Sequence, residues 1–107
     1  MTFDVVIKQE AHDAILRNAL WWRDHHSVDQ AIEWQATIYS QLAELQSMPE
    51  RHGLAPENHR FPFELRQQLL GKGKRGSYRA LFRIEGSTVE VLGFYAAEQD
   101  EVLSSDL

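Results

Sequence analysis

Residues 61–95 restrict the fold more than any other part of the sequence, because short turns divide them into three strand-like segments. Hydrophobic and polar residues alternate in 61–70, and aromatic and β-branched residues are frequent in 78–85 and 88–95. The dipeptide Gly86-Ser87 suits a tight hairpin. We therefore predict three consecutive antiparallel strands. The last of them should lie in the middle of the sheet, because nearly all its residues are apolar.

The preceding residues predict one further strand and a pair of helices. Residues 2–8 alternate between apolar and polar positions, as a half-buried strand does, and a helical period follows over 9–25. Ser27, with a glutamine three residues later, resembles a capping box for a second helix that runs to about Met48 and stops at Pro49. The predicted class is α+β, in the order β-α-α-β-β-β. An antiparallel sheet of about four strands carries the N-terminal helix hairpin on one face. The spacing leaves open whether the first strand is an edge or a central one.

Three tryptophans lie in the helical region, at Trp21, Trp22 and Trp34. Only one or two of them can face a core as small as this chain can build. The sequence leaves two interpretations open for the rest: a protein-binding surface, or a cluster that locks the helix hairpin.

Length and composition indicate one globular domain over residues 1–107, with an acidic tail from about residue 98. The chain has no cysteine, which excludes disulfides, thiolate nucleophiles and cysteine zinc sites. We predict no cofactor and no metal. No apolar run approaches the roughly 18 residues that a membrane helix needs, and the N-terminus lacks a signal-peptide layout. We therefore expect no membrane association and a cytoplasmic location.

Positive charge is concentrated in residues 60–83, in a chain whose net charge is −5. The segment contains seven basic residues and one acidic residue, Glu64, so its net charge is +6 and that of the other residues is −11. The basic residues are Arg60, Arg66, Lys72, Lys74, Arg75, Arg79 and Arg83. Such asymmetry predicts a local anion-binding surface. We expect Arg66, Lys72, Lys74 and Arg75 to contact nucleic acid or a protein partner, although a solubilising turn is an alternative for the last three.

Three segments make the sequence resemble the RelE/ParE superfamily of toxins from toxin–antitoxin pairs. They are the end of the second helix, LAELQSMPERHGLAPE, the strand FELRQQLLGKG, and above all YRALFRIEGSTVEVLGFYAAEQDEV. The resemblance extends from Phe3 to about Val102 and includes the element order. It implies the toxin component of a bacterial type II pair, which inhibits growth through DNA gyrase or translation. It also implies a cognate antitoxin as partner, in either a homodimer or a hetero-oligomer with that antitoxin.

The resemblance allows two activities, which need different residues. A ribosome-dependent messenger RNA endonuclease, metal-independent, needs cations on the phosphate and an acid and a base. Arg79 and Arg83 suit the phosphate, since both project from one face of a strand, and Tyr95 is the candidate acid. The alternative for Arg79 is an ordinary ion pair with Glu90 or Glu64.

The end of the last strand favours the other activity. Many members of the superfamily carry an Arg-His or similar polar pair there, where this chain has Phe94 and Tyr95, and no histidine follows His59. We therefore favour a gyrase-type or other non-nuclease action. A non-toxic protein-binding module of the same fold is the third hypothesis.

Overall fold

A computed structural model describes residues 2–71 and 77–97, and the predicted acidic tail lies outside them. Two helices and four strands follow one another in the predicted order, so the α+β class is confirmed. The elements are β1 (Asp4–Ile7), α1 (Gln9–His25), α2 (Val28–Ala43), β2 (Arg66–Leu70), β3 (Tyr78–Glu85) and β4 (Thr88–Ala96).

The four strands form one mixed sheet in the order β1-β4-β3-β2. β2, β3 and β4 are antiparallel neighbours, and β4 is central, as predicted. β1 is an edge strand that runs parallel to β4, with Val5 opposite Val89. The expectation of an entirely antiparallel sheet was therefore wrong in this detail. The two helices lie between β1 and the other strands in the chain, so no hairpin imposes an antiparallel direction on β1.

The helix hairpin begins and turns where the sequence predicts. The Ser27 hydroxyl accepts a hydrogen bond of 3.0 Å from the Gln30 backbone N–H and caps α2. α2 ends at Ala43, earlier than the predicted Met48. The next residues, Glu44–Gln46, form a 3₁₀ turn instead of a further turn of α-helix. Leu45 remains fully buried in that turn, which explains why the apolar pattern extends past the α-helix.

The helix hairpin packs against one face of the sheet and encloses the main core. Its largest fully buried side chains include Ile15, Ile38 and Leu42 from the helices and Phe82 and Val91 from the sheet. Removing these side chains from water is the main source of stability for such a fold.

The three tryptophans differ in burial, as the small size of the core predicts. Trp34 is buried, Trp22 is half-buried, and Trp21 leaves 49% of its surface exposed. No helix in the ranges 2–71 and 77–97 is long and apolar enough to cross a membrane.

A second layer covers the opposite face of the sheet, here called the outer face. It is formed by residues 53–65, here called the outer segment. Phe61, Phe63 and Leu65 of this segment pack around Leu81 of β3. The alternation of 61–70 predicts one long strand, but pairing begins only at Arg66, because the preceding aromatic residues cover the sheet instead of extending it.

Candidate functional site

The three predicted catalytic residues lie on the outer face. Side chains alternate along β3, so Arg79, Leu81 and Arg83 share that face, and Tyr95 of β4 is paired with Arg79. The fold therefore places Arg79 and Tyr95 side by side, with Arg83 further along the same strand. Their chemistry depends on what the outer segment brings to them.

Arg79 is buried and held by a carboxylate of the outer segment. Its two terminal nitrogens donate to the two oxygens of Glu57, at 2.8 and 2.5 Å, and one of them also reaches the side-chain oxygen of Gln67 at 3.4 Å. The side chains are 5% and 0% exposed. This is the two-pronged geometry in which arginine binds carboxylates most strongly. Glu57 thus occupies the position where a phosphate would have to bind.

The outer segment is fixed in place by backbone hydrogen bonds around Glu57. The Ala55 N–H donates to the Leu65 carbonyl at 2.8 Å, and the Gln67 N–H donates to Gly53 at 3.1 Å. The Asn58 side chain accepts from the Leu65 N–H at 2.8 Å. Pro56 begins the 3₁₀ turn Pro56–Arg60 that presents Glu57 to the sheet.

Arg83 is shared between two carboxylates and an aromatic ring. Its Nε donates to Glu90 at 2.6 Å, a terminal nitrogen lies 3.0 Å from Glu85, and the guanidinium is 4.9 Å from the centre of the Phe63 ring. The hydrogen bond from Arg83 is the main reason that the pKa of Glu90 lies below its ordinary value. Lys8 adds a weaker contact to Glu90 at 3.4 Å.

Tyr95 is half-buried in the apolar cluster under the outer segment. It packs with Phe61, Phe63 and Leu92 against the side chains of Leu65 and Leu81. This surrounding suits a structural tyrosine.

Arg66 is turned towards the chain's own backbone. One terminal nitrogen donates to the carbonyls of His52 at 2.7 Å and Glu50 at 3.3 Å, and the other lies 3.1 Å from Glu64. Arg66 therefore fixes the approach to the outer segment, and its contact with nucleic acid or a protein partner stays a prediction. The other predicted binding residues, Lys72, Lys74 and Arg75, lie outside the described residues.

Cations and carboxylates form ion pairs on the described part of the outer face. Three cations meet three carboxylates there: Arg79 meets Glu57, and Arg83 and Lys8 meet Glu85 and Glu90. Arg79 and Arg83 therefore already have carboxylate partners in this structure, and anion binding by them stays a prediction. An incoming phosphate would have to displace a buried carboxylate that already makes two short hydrogen bonds.

Glu57 is the residue of this site that the sequence does not predict. The alternative to a catalytic Arg79 was an ion pair with Glu90 or Glu64, but these carboxylates pair with Arg83 and Arg66. Glu57 lies in a predicted loop with no periodicity, and it reaches Arg79 across 22 residues of sequence. One feature of the sequence could have indicated an ordered position for Glu57: it lies between Pro56 and Asn58, which are residue types typical of a structured turn.

His52 lies where the outer segment begins. Its ring stands edge-on to Phe82 at 5.9 Å, and its Nε2 is buried without a hydrogen-bond partner. Burial lowers the pKa of His52, with nearby Arg51 and Arg66 contributing in the same direction. Within residues 2–71 and 77–97, no three histidine or acidic side chains form a group that could hold a metal ion.

Comparison with known proteins gives matches in structure. No family model matches the chain, and no curated protein matches its sequence. A chain of the chromosomal ParDE TA system from P. aeruginosa superposes with a TM-score of 0.73 at 18% identity, covering 91% of this chain and 98% of the other. The chain has the RelE/ParE fold. The free state of a double arginine-to-alanine variant of E. coli toxin RelE gives a TM-score of 0.55 at 18% identity, covering 92% and 86%.

The resemblance seen in the sequence is thus confirmed at the level of the fold. In this RelE/ParE fold, the outer segment and its Glu57–Arg79 pair occupy the sheet face on which the nuclease hypothesis depends.

Proposed function

We propose that this protein is the toxin of a bacterial type II toxin–antitoxin pair. A cognate antitoxin neutralises it, and it arrests growth by binding a protein target of the DNA gyrase kind rather than by cutting RNA. The choice of a protein target over RNA cleavage, which is the second half of this proposal, is supported by the buried ion pair between Arg79 and Glu57.

The fold supports the first half of the proposal. Two solved structures from toxin–antitoxin systems share it over more than nine-tenths of this chain. An antitoxin is the partner that this likeness suggests, and a complex with it is the assembly we expect.

The outer face supports the second half. General acid–base cleavage of RNA needs a cation that is free to meet the phosphate and groups that exchange protons near neutral pH. Arg79 is neutralised by Glu57, and Arg83 by Glu85 and Glu90. The remaining candidate is Tyr95, and a phenol is a poor base at neutral pH.

Expression in a bacterial host tests the proposal. We expect induction to arrest growth and co-expression of a cognate antitoxin to restore it. A Phe82→Asp variant is the control, since a charge at this fully buried core position should prevent folding and abolish the arrest. Normal growth after induction of soluble, folded wild-type protein would instead favour the non-toxic binding module.

Two assays on purified protein then separate the targets. We expect inhibition of gyrase supercoiling and intact messenger RNA on translating ribosomes. Shortened messenger RNA with unaffected gyrase would favour the ribosome-dependent endonuclease.

A further inference from the structure

Four apolar side chains lie exposed on the helix hairpin, two on each helix. On α1, Leu16 and Leu20 are one turn apart and expose 50% and 39% of their surfaces. On α2, Val28 and Ile32 are also one turn apart and expose 58% and 61%. Residues four positions apart lie on the same face of a helix, so each pair forms a row. None of the four belongs to the main core.

A hydrogen bond between the helices shows that the two rows are neighbours. His12 lies one turn before Leu16, and its Nδ1 is 2.7 Å from the Tyr39 hydroxyl. Tyr39 lies two turns after Ile32, on the same side of α2. Because the short connection makes the helices antiparallel, Leu20 comes level with Ile32. The two rows therefore form one apolar strip along the groove between the helices.

The hairpin has a face of the size found in weak protein–protein interfaces. α1 contains 17 residues, which gives a length of about 25 Å at a rise of 1.5 Å per residue. Two packed helices are about 20 Å wide, since their axes lie roughly 8–10 Å apart. The face thus covers about 500 Å², whereas a standard interface buries roughly 800 Å² of each partner. We expect a partner that covers this face to bind weakly.

Two opposite charges beside the apolar strip indicate which partner fits. Arg17 and Asp24 lie three positions before and four positions after Leu20, on the same side of α1. Within residues 2–71 and 77–97, no hydrogen bond or ion pair engages Arg17. Asp24 contacts Arg23 at 3.0 Å through Oδ1, and its other oxygen can accept a further hydrogen bond. A face with both signs of charge can be complementary to a second copy of itself.

A two-fold axis across the middle of the apolar strip brings these charges together. The four apolar residues are centred near the level of Leu20 on α1. Rotation about an axis at this level places α1 antiparallel to α1 of a second copy. A residue three positions before the centre then lies opposite a residue about four positions after it. Arg17 of each copy therefore meets Asp24 of the other, and the same contact occurs twice.

We propose that two copies of this chain associate through their helix hairpins as a weak dimer with the packing of a four-helix bundle. The apolar strips form the centre of the contact, and the pairs of Arg17 and Asp24 lie at its edge. This inference does not depend on the proposed toxin function, because the purified chain alone tests it.

Sedimentation velocity of the full chain over about 5–500 µM measures this association. We expect the weight-average mass to rise with concentration from the 12.4 kDa of one chain towards twice that mass. The small area of the face corresponds to a dimer Kd of roughly 10–100 µM.

Charges placed in the apolar strip should prevent the contact. Leu16→Glu and Ile32→Glu should each raise the dimer Kd about ten-fold or more, because association would bury an unpaired carboxylate. Glutamate is a good helix former, so these exposed positions should tolerate it. Leu69→Glu is the matched control, since Leu69 is 57% exposed but lies on β2. It should leave the Kd unchanged, and circular dichroism checks that all three variants are folded.

Reversal of the charges tests the antiparallel arrangement. Arg17→Asp and Asp24→Arg should each weaken the dimer about two- to five-fold, as expected for exposed ion pairs. The double variant should recover the Kd of the wild type, because the opposite charges still meet. An equimolar mixture of the two single variants should associate more strongly than either alone.

Three results would overturn the proposal. One is a mass of 12.4 kDa at every concentration, which would leave the apolar strip to a helix of another protein. Another is a loss of association in Leu69→Glu equal to that in Leu16→Glu, which would place the contact elsewhere. The third is a double charge variant that associates no better than the single ones.

Discussion

At the scale of single residues, the main feature of the outer face is the buried ion pair between Arg79 and Glu57. Taking both charges out of water is costly, and good geometry between them recovers much of that cost. The pair is therefore weak evidence for extra stability. Removing only one partner should be strongly destabilising, because the other is left as an uncompensated buried charge.

A double-mutant cycle on this pair should show strong coupling. Glu57→Leu and Arg79→Met should each lower the free energy of unfolding by about 3–5 kcal/mol, whereas the double variant should be close to the wild type. Urea unfolding measures all four proteins. If the two single effects simply add, the pair is not the interaction that we describe.

The stability of the protein should fall in mildly acidic solution because of His52. Its pKa is lowered in the folded state, so the unfolded chain binds a proton more readily. The contribution of neutral His52 is complete above its ordinary pKa of about 6.5 and is lost as pH falls through the lower, folded value. His52→Leu should flatten this part of a curve of melting temperature against pH.

The control for that measurement is His59→Leu, because His59 is exposed. It should leave the acid dependence unchanged. An unchanged slope in His52→Leu would show that another group causes the loss.

At the scale of elements, the outer segment is held by a few specific hydrogen bonds rather than by regular pairing. One of them joins the Asn58 side chain to the Leu65 N–H. Asn58→Ala should cost about 1–2 kcal/mol of unfolding free energy, since it leaves a backbone donor without its partner. Chemical unfolding measures this cost.

The same substitution elsewhere provides the comparison for Asn58. Asn18→Ala removes a contact to a carbonyl within α1 and introduces a better helix former, so it should be nearly neutral or stabilising. Equal losses in the two variants would contradict the role of Asn58 in fixing the outer segment.

The start of α2 offers a second test at this scale. Ser27→Ala removes the hydroxyl that caps Gln30 and should lower stability by about 1 kcal/mol. Ser40→Ala on the exposed side of the same helix should be neutral or slightly stabilising. Thermal unfolding of the two variants distinguishes a capping effect from a general effect of serine removal.

Elements that depend on local sequence patterns were predicted correctly. α1 and the cap at Ser27 follow from apolar period and hydrogen-bonding chemistry, both of which act within a few residues. The parallel direction of β1 and the end of α2 at Ala43 depend on packing between distant segments. The pair of Arg79 and Glu57 was missed for the same reason, since nothing near Glu57 in the sequence indicates which strand it meets.

At the scale of the whole molecule, the fold is a sheet covered on both faces. The helix hairpin covers one face and encloses the main core, and the outer segment covers the other with a smaller apolar cluster. The predicted basic surface is accordingly not a free one where the structure describes it. Arg79 and Arg83 contact Glu57 and Phe63 of the outer segment.

We propose that Arg79 is structural and that the growth arrest proposed for this protein does not require it. Growth arrest by the Glu57→Leu/Arg79→Met double variant tests this most directly, because the paired change avoids leaving a buried charge that would unfold the protein. At equal levels of folded protein, we predict arrest as complete as that by the wild type. Normal growth of cells that contain the folded, abundant double variant would contradict the claim and return Arg79 to the active site.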